Sequence, residues 1–232
     1  MLGLLRLALG PVLLWQGARV RRNILRMPEP GGPREGLVGD GPSLRLLILG
    51  DSSAAGVGCA HQDQALGGRL PVLLGRRRSV RWRVFATTGW TTAEAFAAMP
   101  GLGEETFDIA VISLGVNDIT TEVPVPAWLE TYRCILERLR TVHGVSRFVI
   151  CGLPPMGAFP ALPQPLRWYL GLQKAKYERA LASWCAPQRE ITFLPLDFAS
   201  DVSEMAEDGF HPGPVAYGRW AEHLVRAISP GH

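Results

Sequence analysis

The chain has 232 residues, of which 47% are apolar and 19% are charged. This composition is typical of a globular protein, excludes an intrinsically disordered chain, and allows one α/β domain with a large buried core. The net charge of +3 is uneven, because residues 1–35 carry six arginines against two glutamates while the remainder is close to neutral. A basic surface that binds nucleic acid is therefore not predicted on the main part of the chain.

Residues 1–26 form an apolar and basic N-terminal arm that is predicted to be helical. The apolar run from Leu2 to Trp15 is too short for a standard transmembrane helix, and Arg6 interrupts it. Two interpretations are open. The arm is either a membrane-peripheral helix, with Trp15 at the lipid headgroups, or a helix packed on the domain's own surface.

The arginines of this arm follow the apolar run, and no small-residue cleavage site is evident, which disfavours a secretory signal. The sequence therefore predicts a cytoplasmic protein, associated with the inner membrane surface if the arm binds lipid. A periplasmic or membrane-anchored protein is the alternative, if residues 1–15 act as a signal or an anchor.

A Pro/Gly-rich stretch over residues 27–43 is predicted to be a linker, and residues 44–232 to be the main domain. In this domain, short apolar runs of strand length alternate with longer segments of helical pattern. Strands are predicted at 44–49, 80–86, 108–114, 147–151 and 191–196, and helices at 62–75, 91–99, 126–142, 166–186 and 213–228. This alternation is typical of an α/β fold with a parallel, doubly wound sheet.

Polar or small residues follow several predicted strands, at points where a buried sheet would not favour them. They are Ser52, Gly89, Asn117 and the segment Asp208-Gly209-Phe210-His211-Pro212. Because the carboxyl ends of parallel strands meet at one edge of a sheet, we expect these residues to converge. Together they supply a nucleophile, a base with an orienting carboxylate, and hydrogen-bond donors, which acyl transfer requires.

The chemistry of each group predicts its role. His211 takes the Ser52 proton as general base, and Asp208, three residues earlier, holds the other ring nitrogen. The backbone N–H groups of Ser52 and Gly89 and the side-chain amide of Asn117 bind the oxyanion.

Other polar residues near these motifs leave two alternatives open. Ser53 could be the nucleophile, and Asp197, at the end of the last strand, could orient His211 in place of the nearer aspartate. Asp51 and Asp118 are interpreted as residues that tie loops by hydrogen bonds to the backbone. The segment after the first strand lacks both common phosphate-loop spacings, so nucleotide binding is not predicted.

Taken together, these motifs resemble the SGNH branch of the GDSL hydrolase family over about residues 44–228. The resemblance depends on Gly50-Asp51-Ser52, Gly89, Gly115-Val116-Asn117-Asp118 and Asp208-Gly209-Phe210-His211-Pro212. It implies a three-layer α/β/α sandwich with a flavodoxin-like, five-stranded parallel sheet in the order 2-1-3-4-5. It also implies ester hydrolysis without a cofactor or a metal, with a catalytic triad of Ser52, His211 and Asp208. Ser53 stands where the family's name motif has leucine, which bears on the substrate class and not on the chemistry.

Trp90, Phe159 and Leu162 are candidate substrate-binding residues that could line an acyl or aryl pocket. The other interpretation is that they cover the edge of the sheet. As a group they favour a hydrophobic carboxylic ester of aryl, acyl-glycerol or lysophospholipid type. A carbohydrate or cell-wall O-acetyl esterase with the same triad is one alternative function, and a non-catalytic, membrane-associated binding protein is another.

The cysteines are widely separated and form no CxxC pair. They are Cys59, Cys134, Cys151 and Cys185. This spacing predicts buried or partly buried thiols, and neither a disulfide framework nor a metal site.

Overall fold

The predicted strands form one mixed sheet in the computed structural model, which describes residues 2–196 and 201–229 and the side chains from Leu9 onward. The sheet has six strands in the order β1-β3-β2-β4-β5-β6. They are β1 (Glu35–Val38), β2 (Ser43–Gly50), β3 (Ser79–Ala86), β4 (Ile109–Ser113), β5 (Arg147–Cys151) and β6 (Ile191–Leu194). Strands β2 to β6 are parallel, as the alternation of strands and helices predicts.

The five parallel strands follow the order that the family resemblance implies, and β1 is an addition to them. β1 pairs antiparallel with β3, with Val38 opposite Val80. The prediction of five strands is therefore wrong by one edge strand, and residues 35–38 belong to the sheet and not to a linker. Because β1 is short and mostly exposed, it lacks the alternation of apolar and polar residues from which a strand is predicted.

Helices cover both faces of the sheet. They are α1 (Leu2–Asn23), α2 (Ser52–Ala55), α3 (Leu66–Gly75), α4 (Thr92–Ala98), α5 (Val116–Thr120), α6 (Val125–Thr141), α7 (Leu166–Cys185) and α8 (Pro214–Ile228). Leu46 and Ile48 of β2 pack on the side of α3 and α8, whereas Leu47 and Leu49 pack on the side of α4, α6 and α7. The three-layer architecture is thus confirmed, and burial of both faces explains the continuous apolar runs of the strands.

The predicted helices are present with small shifts at their ends. The largest shift is at α3, which begins at Leu66 after a separate 3₁₀ turn at Gln62–Gln64. Thr91 caps α4 and forms a capping box with Glu94, as this pair of residue types predicts.

Helix α1 packs on the domain through one face. Leu13 and Gln16 are buried, and Val20 packs against the core on the α6 and α7 side of the sheet. The Gln16 Nε2 donates to the Gln164 carbonyl oxygen at 2.7 Å, and its Oε1 accepts the Leu166 N–H at 3.1 Å. The interpretation of a helix packed on the domain's own surface is therefore confirmed for this face.

The opposite face of α1 remains in solvent. Leu14 is 72% exposed and Trp15 is 57% exposed. In the part of the chain that the structure describes, none of the helices combines the length and the apolar character needed to cross a bilayer.

Candidate active site

The carboxyl ends of β3, β2 and β4 lie level with one another at the edge of the sheet. Gly50, the last residue of β2, is in register with Ala86 at the end of β3 and Ser113 at the end of β4. β2 lies between the other two strands. Three predicted site residues follow these strand ends within four positions, namely Ser52, Gly89 and Asn117. The sheet therefore brings their segments together although they are far apart in sequence.

A sharp turn after β2 presents Ser52 at the start of α2. Gly50 leaves no room for a side chain, because a Cβ at this position would lie 2.4 Å from the Ala54 Cβ. Asp51 caps α2 by accepting the Ser53 N–H at 3.1 Å. The close approach requires glycine at position 50, and the cap fixes the direction in which the chain leaves the strand. The interpretation of Asp51 as a loop tie is thus confirmed.

Ser52, His211 and Asp208 are joined by hydrogen bonds. The Ser52 Oγ is 2.9 Å from the His211 Nε2, and the His211 Nδ1 is 2.5 Å from the Asp208 Oδ2. Because an ionised carboxylate only accepts hydrogen bonds, the Nδ1 carries the ring proton and the Nε2 is left to accept from the serine hydroxyl. The His211 side chain is 15% exposed and that of Asp208 is fully buried. The fold therefore brings together the three residues predicted as nucleophile, base and orienting carboxylate.

The turn around Asp208 sets both its charge and the position of His211. The Asp208 Oδ1 accepts the N–H groups of Phe210 and His211, both at 2.9 Å. Burial alone would raise the pKa of Asp208, but the hydrogen bonds from the His211 ring and from these two N–H groups lower the pKa below its ordinary value. Asp208 is therefore ionised at neutral pH and anchors the imidazole.

Contacts from α8 and from a glycine hold the histidine loop close to the nucleophile turn. The Tyr217 hydroxyl of α8 shares its one proton between the carbonyl oxygen of Ser53, at 2.9 Å, and that of Val57, at 2.8 Å. A Cβ at Gly58 would lie 2.1 Å from the Pro212 carbonyl oxygen, so the two segments touch. Sequence reasoning missed both contacts, because their partners are more than 150 positions apart and neither belongs to a motif.

Asn117 lies beside the turn that follows β3. Its Nδ2 donates to the Trp90 carbonyl oxygen at 2.8 Å, which uses one of the two amide protons. The neighbouring Asp118 accepts the Thr92 N–H at 3.0 Å and the Thr92 hydroxyl at 2.8 Å, and the same hydroxyl accepts the Trp128 Nε1–H at 3.0 Å. The interpretation of Asp118 as a loop tie is confirmed, and Asn117 retains a second amide proton for a substrate oxygen.

In the turn after β3, the neighbours of Gly89 already use their N–H groups. The Thr87 N–H donates to the carbonyl oxygen of the last β2 residue at 3.3 Å, and the Trp90 N–H donates to the Thr87 carbonyl oxygen at 3.3 Å. The Thr88 N–H donates to Glu29 at 2.7 Å. Among the residues that the structure describes, the Gly89 N–H has no protein acceptor, and this glycine is exposed. It is therefore available to an oxyanion.

The three predicted substrate-binding residues differ in their surroundings. Leu162 is buried in the core, and Trp90 is half-buried against Phe85, with ring centroids 5.5 Å apart. Phe159 is also buried and packs edge to face on Phe210, with centroids 4.9 Å apart. Of the three, Phe159 thus contacts the loop that carries His211.

A largely apolar cavity of about 40 Å³ borders the nucleophile turn and the histidine loop. Its walls include the sequence neighbours of Ser52, which are Asp51 and Ser53, and those of His211, which are Phe210 and Pro212. Apolar side chains from the ends of β4 and β5 and from the following loops complete it, among them Leu114, Leu153 and Phe159. The cavity thus borders the segments that carry Ser52 and His211, whereas these two residues do not themselves line it.

Asp51 is a buried acid beside this site. Burial raises its pKa to about 7, although the Ser53 N–H and the nearby His211 oppose the shift. In the unfolded chain an aspartate titrates near pH 4, so the folded state binds this proton more tightly. The stability that the protonated Asp51 contributes is complete below pH 4 and is lost as the pH rises through about 7.

An Asp51→Asn variant isolates this titration, because its amide oxygen can still accept the Ser53 N–H. We expect the free energy of unfolding of the wild type to fall relative to the variant between pH 5 and pH 8, by at most about 1.4 kcal/mol per pH unit. Urea unfolding of both proteins at the two pH values measures the difference. Parallel pH profiles would show that Asp51 keeps an ordinary pKa in the folded state.

Asp197, the alternative partner of the histidine, lies outside the described residues.

All four cysteines are free thiols; three of them are buried and Cys134 is partly buried, as predicted. Burial raises the pKa of Cys59 to about 11 and those of Cys151 and Cys185 to about 12. Within the described ranges, His, Cys, Asp and Glu side chains form no group of three that could hold a metal ion.

At the edge of this α/β/α fold, a serine is hydrogen-bonded to a histidine whose other nitrogen contacts a buried carboxylate. This is the arrangement of a serine hydrolase. The sequence model of the GDSL-like lipase/acylhydrolase family matches residues 48–219, so the chain belongs to this family. The resemblance predicted from the motifs is therefore confirmed.

Several known proteins resemble the chain. "GDSL-like esterase Rv1075c" of Mycobacterium tuberculosis (strain ATCC 25618 / H37Rv) is 28% identical over 197 residues, which cover 80% of this chain and 62% of that protein. The chain thus spans less than two thirds of the length of this relative.

Two solved structures share the fold at lower identity. The lipase Lip_vut3 from a goat rumen metagenome has a TM-score of 0.65 at 20% identity, over 79% of this chain and 97% of that one. A family 2 carbohydrate esterase with a carbohydrate binding domain, from Corynascus thermopiles, has a TM-score of 0.61 at 18% identity, over 86% of this chain and 67% of that one. These likenesses support the fold alone.

Proposed function

We propose that the chain is a serine esterase that hydrolyses hydrophobic carboxylic esters through an acyl-enzyme. The observation that carries the proposal is the hydrogen-bonded series from the Ser52 Oγ through His211 to the buried Asp208. A non-catalytic binding protein would gain nothing from a buried carboxylate that holds a histidine against a serine hydroxyl.

In the proposed acylation step, the His211 Nε2 takes the Ser52 proton while the Oγ attacks the ester carbonyl carbon. The oxyanion accepts hydrogen bonds from the Ser52 and Gly89 N–H groups and from the Asn117 amide, and one such donor typically contributes about 2.7–4 kcal/mol. The ester C–O bond then breaks and His211 gives its proton to the leaving alcohol. Water, deprotonated by the same ring, then attacks the acyl carbon, and the bond to the Ser52 Oγ breaks. His211 returns the proton to the Oγ as the acid leaves, while Asp208 stays ionised.

The substrate class is proposed from the surroundings of the serine. The cavity that borders the nucleophile turn is mostly apolar, and Phe159 and Phe210 form part of its wall. Such a wall favours an apolar acyl or aryl group over a polar one, because it offers few hydrogen-bond partners. Aryl esters, acyl-glycerols and lysophospholipids meet this requirement.

A carbohydrate O-acetyl esterase is a second candidate. The cavity volume of about 40 Å³ favours it, since an acetyl group needs little room. The fold likeness to a family 2 carbohydrate esterase is compatible with either candidate. The two candidates use the same catalytic residues and differ in the alcohol and the length of the acyl chain.

Comparing kcat/KM for p-nitrophenyl acetate, butyrate and octanoate with the rate of acetate release from acetylated xylan tests the proposal. We expect the highest value for butyrate, a short apolar acyl group, and little release from xylan. A preference for xylan would favour the carbohydrate esterase. Failure of the folded wild type to hydrolyse any of these esters would favour the non-catalytic alternative.

We also propose that the exposed face of α1 contacts an anionic membrane surface. Leu14 and Trp15 lie in solvent on this face, and exposed Arg21 and Arg22 follow in the last turn of the helix. The Arg19 guanidinium lies 5.5 Å from the centroid of the Trp15 ring. Apolar side chains that enter the headgroup region next to arginines that pair with anionic lipid are typical of membrane-peripheral helices.

The position of α1 relative to the site supports a lipid ester as substrate. A groove of about 420 Å³ is lined by the end of α1, by Pro160 and Ala161 and by Asp208. A membrane in contact with α1 would therefore lie beside the catalytic edge of the sheet.

Vesicle binding by a Leu14→Ser/Trp15→Ser variant tests this contact. We expect several-fold weaker cosedimentation with phosphatidylglycerol-containing vesicles at low salt, and unchanged hydrolysis of a soluble ester. Val72→Ser is the matched control, because Val72 is 56% exposed on α3, on the other side of the sheet. Equal binding of the α1 variant and this control would exclude the proposed surface.

A further inference from the structure

Glu29 is anchored to the turn that carries Gly89, although it is 59 residues away from its partner Thr88. The Glu29 Oε1 accepts the Thr88 N–H at 2.7 Å and the Thr88 hydroxyl at 2.8 Å. Its Oε2 pairs with the Arg34 Nη1 at 2.8 Å. A single carboxylate thus joins the segment before β1 to the turn after β3.

Arg34 attaches the same unit to the end of β3. Its Nη2 donates to the Ala86 carbonyl oxygen, and its own carbonyl oxygen accepts the Val84 N–H at 2.6 Å. Burial alone would raise the pKa of Glu29, but the hydrogen bonds from Thr88 and the charge of Arg34 lower it, so the carboxylate stays ionised. Bonds to an ionised acceptor are stronger than bonds between neutral groups.

Glu29 adds a restraint to the Gly89 backbone, which has no side chain to hold it. The φ of Gly89 is +88°, and a Cβ built on it would meet no atom within 4 Å, so no group packs against that side of the residue. Glycine has the greatest backbone freedom of all residues. Glu29 fixes Thr88, the residue directly before Gly89, and accepts the Thr88 N–H. The Gly89 N–H is therefore the donor left to a substrate.

We propose that Glu29 is a positioning residue for the oxyanion hole, which acts through Thr88 to hold the Gly89 N–H in place, with Arg34 fixing the carboxylate. The inference rests on the proposed esterase function and adds a role for the segment before β1. Glu29 and Arg34 both precede residues 48–219, the range that the family model matches. The support of the oxyanion turn is therefore a contribution of this chain's N-terminal segment.

Glu29→Ala in the full chain tests the proposal. With p-nitrophenyl butyrate we expect kcat to fall about 10-fold to 100-fold and KM to change little, because a displaced donor weakens the transition state more than the ground state. Glu29→Gln, which keeps an acceptor oxygen for Thr88 but places an NH₂ group against the Arg34 donor, should restore part of the kcat. Thr88→Val removes only the hydroxyl contact and should lower kcat by about threefold, which provides a test if Glu29→Ala does not fold.

Glu35→Ala is the matched control. Glu35 lies in the same segment, but its side chain is 72% exposed and only approaches Arg83, at 4.0 Å. An exposed pair of this kind contributes little, so this variant should keep the wild-type kcat.

Inhibition by a trifluoromethyl ketone separates an effect on the oxyanion hole from an effect on protein stability. Its adduct with the serine carries an oxyanion at the position where the oxyanion of the substrate forms. In Glu29→Ala, assayed at a temperature at which the variant is fully folded, we expect the inhibition constant to rise by about the factor by which kcat falls. Unchanged kcat and inhibition constant in a folded Glu29→Ala would overturn the inference and leave the esterase intact. A wild type without esterase activity would instead overturn the proposed function, and this inference with it.

Discussion

Ser52→Ala is expected to lower kcat for p-nitrophenyl butyrate by about 10⁵-fold to 10⁶-fold, the scale on which serine proteases lose activity when their nucleophile is removed. The reason is that the hydroxyl 2.9 Å from the His211 Nε2 is the only atom of residue 52 that can form the acyl-enzyme. His211→Ala should cause a similar loss, because the serine then lacks a base. Initial rates at saturating substrate measure both effects.

Ser53→Ala is the control for this comparison and also tests the alternative nucleophile. Ser53 follows directly in the chain, but the structure joins the His211 Nε2 to Ser52. The Ser53 N–H and carbonyl oxygen, which contact Asp51 and Tyr217, are backbone groups and remain in the variant. We expect Ser53→Ala to keep most of the activity. If Ser53→Ala were inactive and Ser52→Ala active, the assignment of the nucleophile would be wrong.

Asp208→Asn is expected to lower kcat by about 10⁴-fold, as the corresponding change does in a serine protease. An amide at this position can still accept the Phe210 and His211 N–H groups through one oxygen. Its NH₂ group cannot accept the proton of the His211 Nδ1, so the ring turns to the tautomer that has no free Nε2 lone pair for the serine. Rates of the wild type and the variant between pH 6 and pH 9 measure the loss.

Asp201→Asn provides the matched control for this substitution. Asp201 also accepts a backbone N–H, that of Ser203 at 3.0 Å, and it is an exposed residue a few positions before the catalytic segment. We expect this variant to retain its activity. A loss of only a few-fold in Asp208→Asn would mean that another group orients His211.

The features predictable from the sequence are those that local pattern and motif determine. The strands are buried on both faces, so each appears as an apolar run, and their order follows from the family resemblance. Ser52 and Asn117 could be identified because each belongs to a motif at a strand end, and His211 because its motif follows the last strand. Their hydrogen-bonding distances could not be predicted, since these depend on the register of the strands and on how the histidine loop packs on the nucleophile turn.

The features that cannot be predicted from the sequence are contacts that no local motif or periodicity indicates. The stretch over residues 27–43 was predicted as a linker because it is rich in Pro and Gly, yet β1 pairs with β3 and Glu29 binds Thr88. Neither a four-residue exposed edge strand nor a lone glutamate has a periodicity that indicates its partner. The side-chain contacts of Tyr217 were missed for the same reason.

The predicted pocket residues illustrate another limit. An aromatic or aliphatic residue in a proline-rich loop has the same sequence signature whether it lines a pocket or fills the core. In the structure Phe159 does both, since it is buried and lines the cavity, whereas Leu162 is a residue of the core. Only the packing of this loop against Phe210 distinguishes the two positions.

Catalysis by this chain requires that the hydroxyl of Ser52 be made nucleophilic by the ring of His211, 159 positions further along the chain. Reaction of the folded wild type with a fluorophosphonate, followed by peptide mapping in a mass spectrometer, tests this directly. We predict a single adduct, on Ser52, that is absent from His211→Ala. A wild type without an adduct, or with one on another serine, would contradict the account.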